Sequence, residues 1–289
     1  MKRINRKDLP FTLINTVIML VIMVVMIYPF WYVLVYSVSE SSYVPGGLFL
    51  FPENISFDAF IVCLSNDDVV NGLYISVARA VVGSATMVVV SGMAAYAISK
   101  ERLCGIKFFR KYILFSMYVV AGLIPTYFVM KSLNLTNSFG VYIFPAMANV
   151  FNIILIRAYM ESLPQTIEES AYIDGANDFQ IFWKIVLPLC KPVIAAVVLY
   201  SAVSQWNSYI DTQLYNYRNP KLYPLQYVLY NYMAAYTPSK ESAMTKVAAV
   251  TPQSIKMAVT VIAIIPILIV YPMLQRYFIS GLLVGAVKD

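Results

Sequence analysis

Six stretches of this sequence are too long and too apolar for a water-soluble fold, and they constrain everything else in it. A bilayer-crossing helix needs roughly 20 mostly apolar residues. The six run from about Thr12 to Ser39, Gly72 to Ser99, Tyr112 to Met130, Val141 to Met160, Val186 to Tyr209 and Met257 to Tyr277. With them the chain is 60% hydrophobic and only 12% charged. Soluble domains average about 45–50% and about 25%. So little charge cannot cover so much apolar surface, so the expected fold is an all-α membrane protein with six transmembrane helices.

The first span follows Lys2, Arg3, Arg6 and Lys7, the arrangement of a secretory signal. Its apolar run outlasts a signal's core, and Tyr28-Pro29-Phe30-Trp31 stands where small residues would mark cleavage. It reads as an uncleaved span. With the amino terminus placed in the cytoplasm, fourteen Lys and Arg fall in inner segments and six in outer ones, with Arg79 inside a span. That bias puts both termini in the cytoplasm of a multi-pass membrane protein. Residues 1–11 are then a cytoplasmic amino terminus, and residues 12–289 one transmembrane domain in contact with lipid.

Composition also excludes chemistries. The chain has no histidine, which removes imidazole acid–base catalysis and histidine metal ligation. Cys63, Cys104 and Cys190 are far apart and lack metal-site spacing. The eleven glycines form no phosphate-cradling motif, so ATP and Mg are not expected on this chain. The net charge of +6 follows membrane topology rather than a nucleic-acid partner.

One inner segment is unlike the rest: EESAYIDGANDFQIFWKIVLPLCKP, Glu168 to Pro192. Pro164 suits the first turn of a helix capped at Ser162 or Leu163. Glu161, Glu168 and Glu169 lie near its amino-terminal half, which the helix dipole favours. Gly175 is a natural helix stop, and Asn177 or Asp178 can cap a second helix carrying Phe179, Ile181, Phe182, Trp183 and Ile185. Pro188 would open the next span. A helix–turn–helix over about 161–188 is expected at the inner membrane face, with Ser170 and Ala171 small enough for another surface to approach.

This segment resembles the coupling loop of permease subunits of ATP-binding-cassette importers, whose pattern is E-A-A-x-x-x-G, nine residues, then I-x-L-P. Here it reads Glu169-Ser170-Ala171, three residues, Gly175, nine residues, Ile185-Val186-Leu187-Pro188. Ser170 replaces an alanine, which keeps the position small. The stretches AGLIPTYFVMKSLNLTNSFG, SQWNSYID, YPLQ and QRYFISGLLVGAVKD are similar to the carbohydrate branch. They look like the second permease of maltose-type systems, nearest the oligosaccharide subgroup of Gram-positive-type bacteria. The likeness runs from about Asn71 to the end.

The resemblance implies a non-catalytic permease in a bacterial cell membrane that takes up carbohydrate by alternating access. Its implied partners are a second permease, likewise a heterodimer half, an ATPase dimer that binds ATP and Mg, and an extracytoplasmic substrate-binding lipoprotein. Glu169, Ser170, Ala171, Asp174 and Gly175 would then be the residues addressed to the ATPase. The outer segments Glu40 to Asn71 and Ile210 to Lys256 are candidate docking surfaces for the lipoprotein; the tyrosines from Tyr223 to Tyr236 suit a contact surface or packing of the loop on itself.

Five residues are candidates for the substrate pathway. Trp206 offers a flat face for a sugar ring, with Gln205 and Asn207 as hydrogen-bonding neighbours; the alternative is an interfacial aromatic belt. Asn152 serves equally as a pathway contact or a helix bridge. Arg79 lies about 12 Å into the second span. It lines the route, meets an acidic sugar, snorkels outward, or pairs with a carboxylate on a partner. An importer of another solute and a secondary transporter are the competing readings. The second needs an ion site, yet no carboxylate accompanies Arg79 within the spans.

Overall fold

A computed structural model describes residues 9–40, 49–52, 54–234 and 250–286. Among them the chain is almost wholly helical; one isolated antiparallel bridge, Ser39 to Ile55, is the sole extended pairing. The basic residues Lys2, Arg3, Arg6, Lys7, Lys240 and Lys246, together with Tyr236 and the last three residues, lie outside the described part. The chain divides into two compact units, Met1–Asn66 with Tyr232–Ile264, and Asp67–Asn231 with Ile265–Asp289.

In the first unit, α1 (Leu9–Ser37) is long, apolar and exposed over most of its length. Only its end packs, where Val35 and Tyr36 bury against Phe49. Trp31 Nε1 donates to the Leu50 carbonyl at 2.9 Å. A helix this apolar needs lipid or another chain along its flanks. The short α2 (Asp58–Leu64) belongs to the same unit.

The spine of the second unit is α3 (Asp67–Ser99). Its buried residues include Gly72, Ser76, Arg79, Gly83, Met87, Ser91 and Ala95, spaced three and four apart, which is one helix face. Small residues dominate that face and allow backbones close together, as helix packing in lipid requires. Ser91 Oγ donates to the Met147 carbonyl at 3.0 Å, and Ser76 Oγ accepts from the Leu225 amide at 2.9 Å.

The expected third, fourth and fifth spans are not single straight helices. α4 (Ile106–Tyr118) and α5 (Leu123–Ser132) meet at 115°, across Gly122 at φ 85°. The stretch 140–146, which begins with α6 (Gly140–Ile143), meets α7 (Val150–Glu161) at 47°. The fifth changes direction by 82° between Asp178–Leu189 and Lys191–Asn207, so its straight part begins at Lys191 rather than Val186. Pro188 and Pro192 flank that bend, and a proline removes an amide donor and crowds the preceding turn. Among the described residues, three helices are each long and apolar enough to cross a membrane, and up to six segments are if every bent pair is one span.

The rest of the second unit comprises α8 (Gln165–Ile173), α9 (Asp178–Ile181), α10 (Leu187–Leu189), α11 (Lys191–Asn207) and α12 (Leu225–Ala234). The last helix, α13 (Pro252–Ala286), contains Pro266 and Pro272. α11 and α7 pack on α3. Several tyrosines pack on one another, with Tyr209 stacked on Tyr230 at 5.0 Å and Tyr223 edge-on to Tyr227 at 4.6 Å.

Candidate functional site

The acidic segment folds as the expected helix–turn–helix, built almost wholly from local signals. Its start differs by one or two residues: Pro164, at φ −61° and ψ 126°, occupies the cap position, and the Ser162 hydroxyl donates back to the Tyr159 carbonyl instead. At the other end of α8 the Gly175 amide donates to Tyr172 O and the Ala176 amide to Ala171 O, both at 3.0 Å. This pair of bonds closes the helix around a left-handed residue, and Gly175 has φ 81°. Asn177 then starts α9 with a capping box: its side chain accepts from the Gln180 amide at 2.9 Å, and Gln180 Oε1 accepts from the Asn177 amide at 3.1 Å. One wide helical turn, Phe182–Val186, leads on to α10.

The hairpin has an inner and an outer face. Ala171 is 7% exposed and belongs to the core cluster of Ile98, Met160, Ile181 and Phe182. Its small side chain therefore serves close packing within this chain, which corrects the expectation that it faces another surface. Glu169, Ser170, Asp174 and Gly175 are exposed, and Ile173, between them, is 86% exposed. The Ser170 hydroxyl donates to the Ile167 carbonyl at 3.0 Å. Among the described residues no cation pairs with Glu169.

Basic residues just beyond α3 hold this hairpin. Lys100 pairs with Glu168, and Arg102 with Asp178. Tyr172 also donates to Asp178 and accepts from Arg102 at 2.7 Å. The Tyr172 hydroxyl first, then the Arg102 guanidinium, hold the Asp178 carboxyl below its ordinary range. Arg110 donates to the Ile98 and Ser99 carbonyls at 2.8 and 3.2 Å and lies 3.4 Å from Glu161. Sequence reading used these cations only to orient the chain. The available signal was that opposite charges sit on two segments assigned to the same side.

About 30 Å along α3 from its end lies a second cluster. Arg79 is 1% exposed. It ion-pairs with Asp211, and its Nε donates to Gln205 Oε1 at 3.0 Å. One terminal nitrogen also donates to the Ser208 carbonyl at 3.1 Å, and the guanidinium lies 4.2 Å over the Tyr142 ring. Four hydrogen bonds use most of its five donors. Arg79 thus neither snorkels nor waits for a carboxylate on another chain. Asp211, the acid of SQWNSYID, is the functional partner that sequence reading missed, because it follows the apolar run rather than lying in it.

Gln205 is fixed from three sides. Its Nε2 donates to the Tyr142 carbonyl at 2.9 Å, and Gly83 lies so close that a Cβ there would come within 2.8 Å of Nε2. Gly83→Ala is expected to lower stability by about 1–3 kcal/mol through overpacking, measured as thermal unfolding of the purified chain in detergent. Beside Gln205 is a cavity of about 490 Å³ lined by Met87, Asn149, Phe151, Asn152, Tyr200 and Ser201 among others. Asn152 and Gln205 thus line the same cavity. Trp206, 5% exposed, is not part of that lining, and Asn207 is exposed and accepts from Gln226 at 3.1 Å. The lining is uncharged and mixes amide and hydroxyl side chains with the apolar Met87, Ala146 and Phe151, a combination common in small-molecule sites.

A helical membrane chain with a charged, glycine-broken hairpin at one end of its spine and an uncharged cavity along it has the form of a transport permease. The profile of the family described as "Binding-protein-dependent transport system inner membrane component" matches residues 6–284, and the chain belongs to that family. It is a membrane-embedded transport subunit rather than an enzyme. It is 37% identical over 274 residues to the polygalacturonan/rhamnogalacturonan transport system permease protein YtcP of Bacillus subtilis, covering 93% of this chain and 95% of that protein. It is 38% identical over 264 residues to the B. subtilis protein LplC, covering 91% and 89%. Among solved structures, a bacterial ABC transporter involved in the import of the acidic polysaccharide alginate has a chain 32% identical to this one. It superposes with a TM-score of 0.88 over 96% of this chain and 100% of that one.

Proposed function

We propose that the chain forms half of the translocation pathway of an ATP-driven, binding-protein-dependent oligosaccharide importer. A second permease completes the pathway, and a separate ATPase dimer binds ATP and Mg. A lipoprotein delivers substrate to the outer face, and both termini lie in the cytoplasm of a bacterial cell. Residues 12–289 act as one permease domain, with 161–188 as its coupling segment.

The observation that carries this reading is the division of labour in the hairpin. Ala171 anchors α8 to its own chain, while Glu169, Ser170, Asp174 and Gly175 are left outside for the ATPase. Glu169 supplies a charged handle. When ATP closes the ATPase dimer, the hairpin is displaced and the spans change between inward- and outward-facing forms, a rigid-body transition that nucleotide biases. Carbohydrate as cargo rests on the named substrates of the relatives and on a cavity walled by Asn152, Gln205 and serines. In this scheme Arg79, tied to Asp211, braces Gln205 from behind. The buried Trp206 and the exposed Asn207 follow Gln205 on α11, outside the cavity lining.

Glu169→Lys tests the reading. Reversing that charge opposes a positive partner, and like-charge contact costs several kcal/mol. Recovery of the ATPase with the tagged chain is expected to fall about tenfold or more. A Glu169→Lys transporter that assembles, hydrolyses ATP and imports like the parent would overturn it.

A further inference from the structure

The hairpin's contacts give it a mechanical connection that its family role does not specify. Both of its arms are fastened to residues that directly follow α3. α8 is held through Glu168 on Lys100, and α9 through Asp178 on Arg102. The Lys100 ammonium also lies 4.1 Å over the Tyr96 ring, and that ring packs 5.3 Å from Phe182 just beyond α9. The guanidinium of Arg102 covers the Tyr172 ring of α8 at 4.9 Å. These contacts span the Gly175 turn and tie both arms to the end of α3. The same α3 carries Met87 to the cavity wall and Gly83 against Gln205, which also lines it.

We propose that Lys100 and Arg102 are positioning residues that clamp both arms of the Gly175 hairpin to α3, making α3 the rod that carries the hairpin's displacement to the pathway. The proposal rests on the coupling reading of the hairpin. The Arg102–Asp178 pair is 52% and 57% exposed, and exposed ion pairs add little to stability; the Lys100–Glu168 pair is better shielded, at 15% and 26%. Each pair adds a directional link between one arm and the end of α3 to the apolar packing of Ala171, Ile181 and Phe182 against it. Losing the clamp therefore uncouples the pathway from the ATPase without detaching either.

The test uses the transporter purified whole from its native membrane through a tag on this chain and reconstituted in lipid vesicles. A cysteine at Val70, exposed near the far end of α3, reports that helix by its rate of maleimide labelling. Exposed Cys104 is replaced by serine. Trapping with ATP and vanadate is expected to change the labelling rate about fivefold or more in the parent. In Lys100→Glu/Arg102→Glu the change falls below about twofold, with the ATPase still bound and hydrolysing. The exchange Lys100→Glu/Glu168→Lys restores most of what Lys100→Glu alone removes. If the doubly reversed chain fails to assemble, Lys100→Gln/Arg102→Gln decides the same question.

A full nucleotide response in the unclamped chain overturns the proposal. So does a parent in which Val70 never responds while the ATPase is bound, because α3 is then not the rod. A parent that does not retain an ATPase at all overturns the coupling reading instead.

Discussion

Asp211→Ala is expected to lower the stability of the chain by about 3–5 kcal/mol, the cost of stranding a charge that has left water. Arg79 is 1% exposed and would keep only Gln205 and the Ser208 carbonyl as acceptors. Arg79→Met should do less damage, because the Asp211 side chain is 22% exposed and water can reach it. The double variant Arg79→Met/Asp211→Leu should be the least harmed, since replacing a buried pair by apolar groups is often neutral. The order is read from the temperature at which each purified variant leaves its monodisperse peak. An Asp211→Ala chain as stable as the parent would show that the pair is not desolvated.

Gly175→Val is expected to reduce nucleotide-coupled transport about 5- to 30-fold, from roughly 1–2 kcal/mol of strain. Nothing lies within 4 Å of a Cβ built there, so crowding is not the cause. The cause is φ 81°, which a β-branched residue resists. Without it the Gly175 and Ala176 amides lose their acceptors on α8, and the angle between the hairpin arms changes. Gly175→Asn tolerates the left-handed region and should retain most coupling. Equal loss in both variants would mean that space at the docking face, not backbone geometry, is what Gly175 provides. ATP hydrolysis stimulated by the binding protein is the measurement.

The two clusters differ in how far they can be read without coordinates. The hairpin depends on contacts three to five residues apart: Gly175 to Tyr172, Ala176 to Ala171, Asn177 to Gln180. Residue type and order therefore specify it, down to the glycine stop and the asparagine cap. The local expectation failed at the entry, where Pro164 itself takes the cap position. The interior site is different. Arg79 meets Gln205 and Asp211 across 126 and 132 residues, and no local pattern announces that meeting. Ala171 shows the same limit: its smallness was legible, but whether it faced inward or outward was not.

Hydropathy by itself determined that this chain lives in a membrane, where its apolar segments fall and that its acidic stretch stands apart from them. It did so because transfer of apolar side chains out of water depends on their sum along a segment, not on partners. Only the tertiary structure decided that three of those segments bend. Only there does Gly83 draw Gln205 onto α3, do Lys100 and Arg102 grip the hairpin, and does Arg79 find its counter-ion in Asp211. Those outcomes are set by which helix faces pack together, and a buried charge finds its partner only once that packing exists.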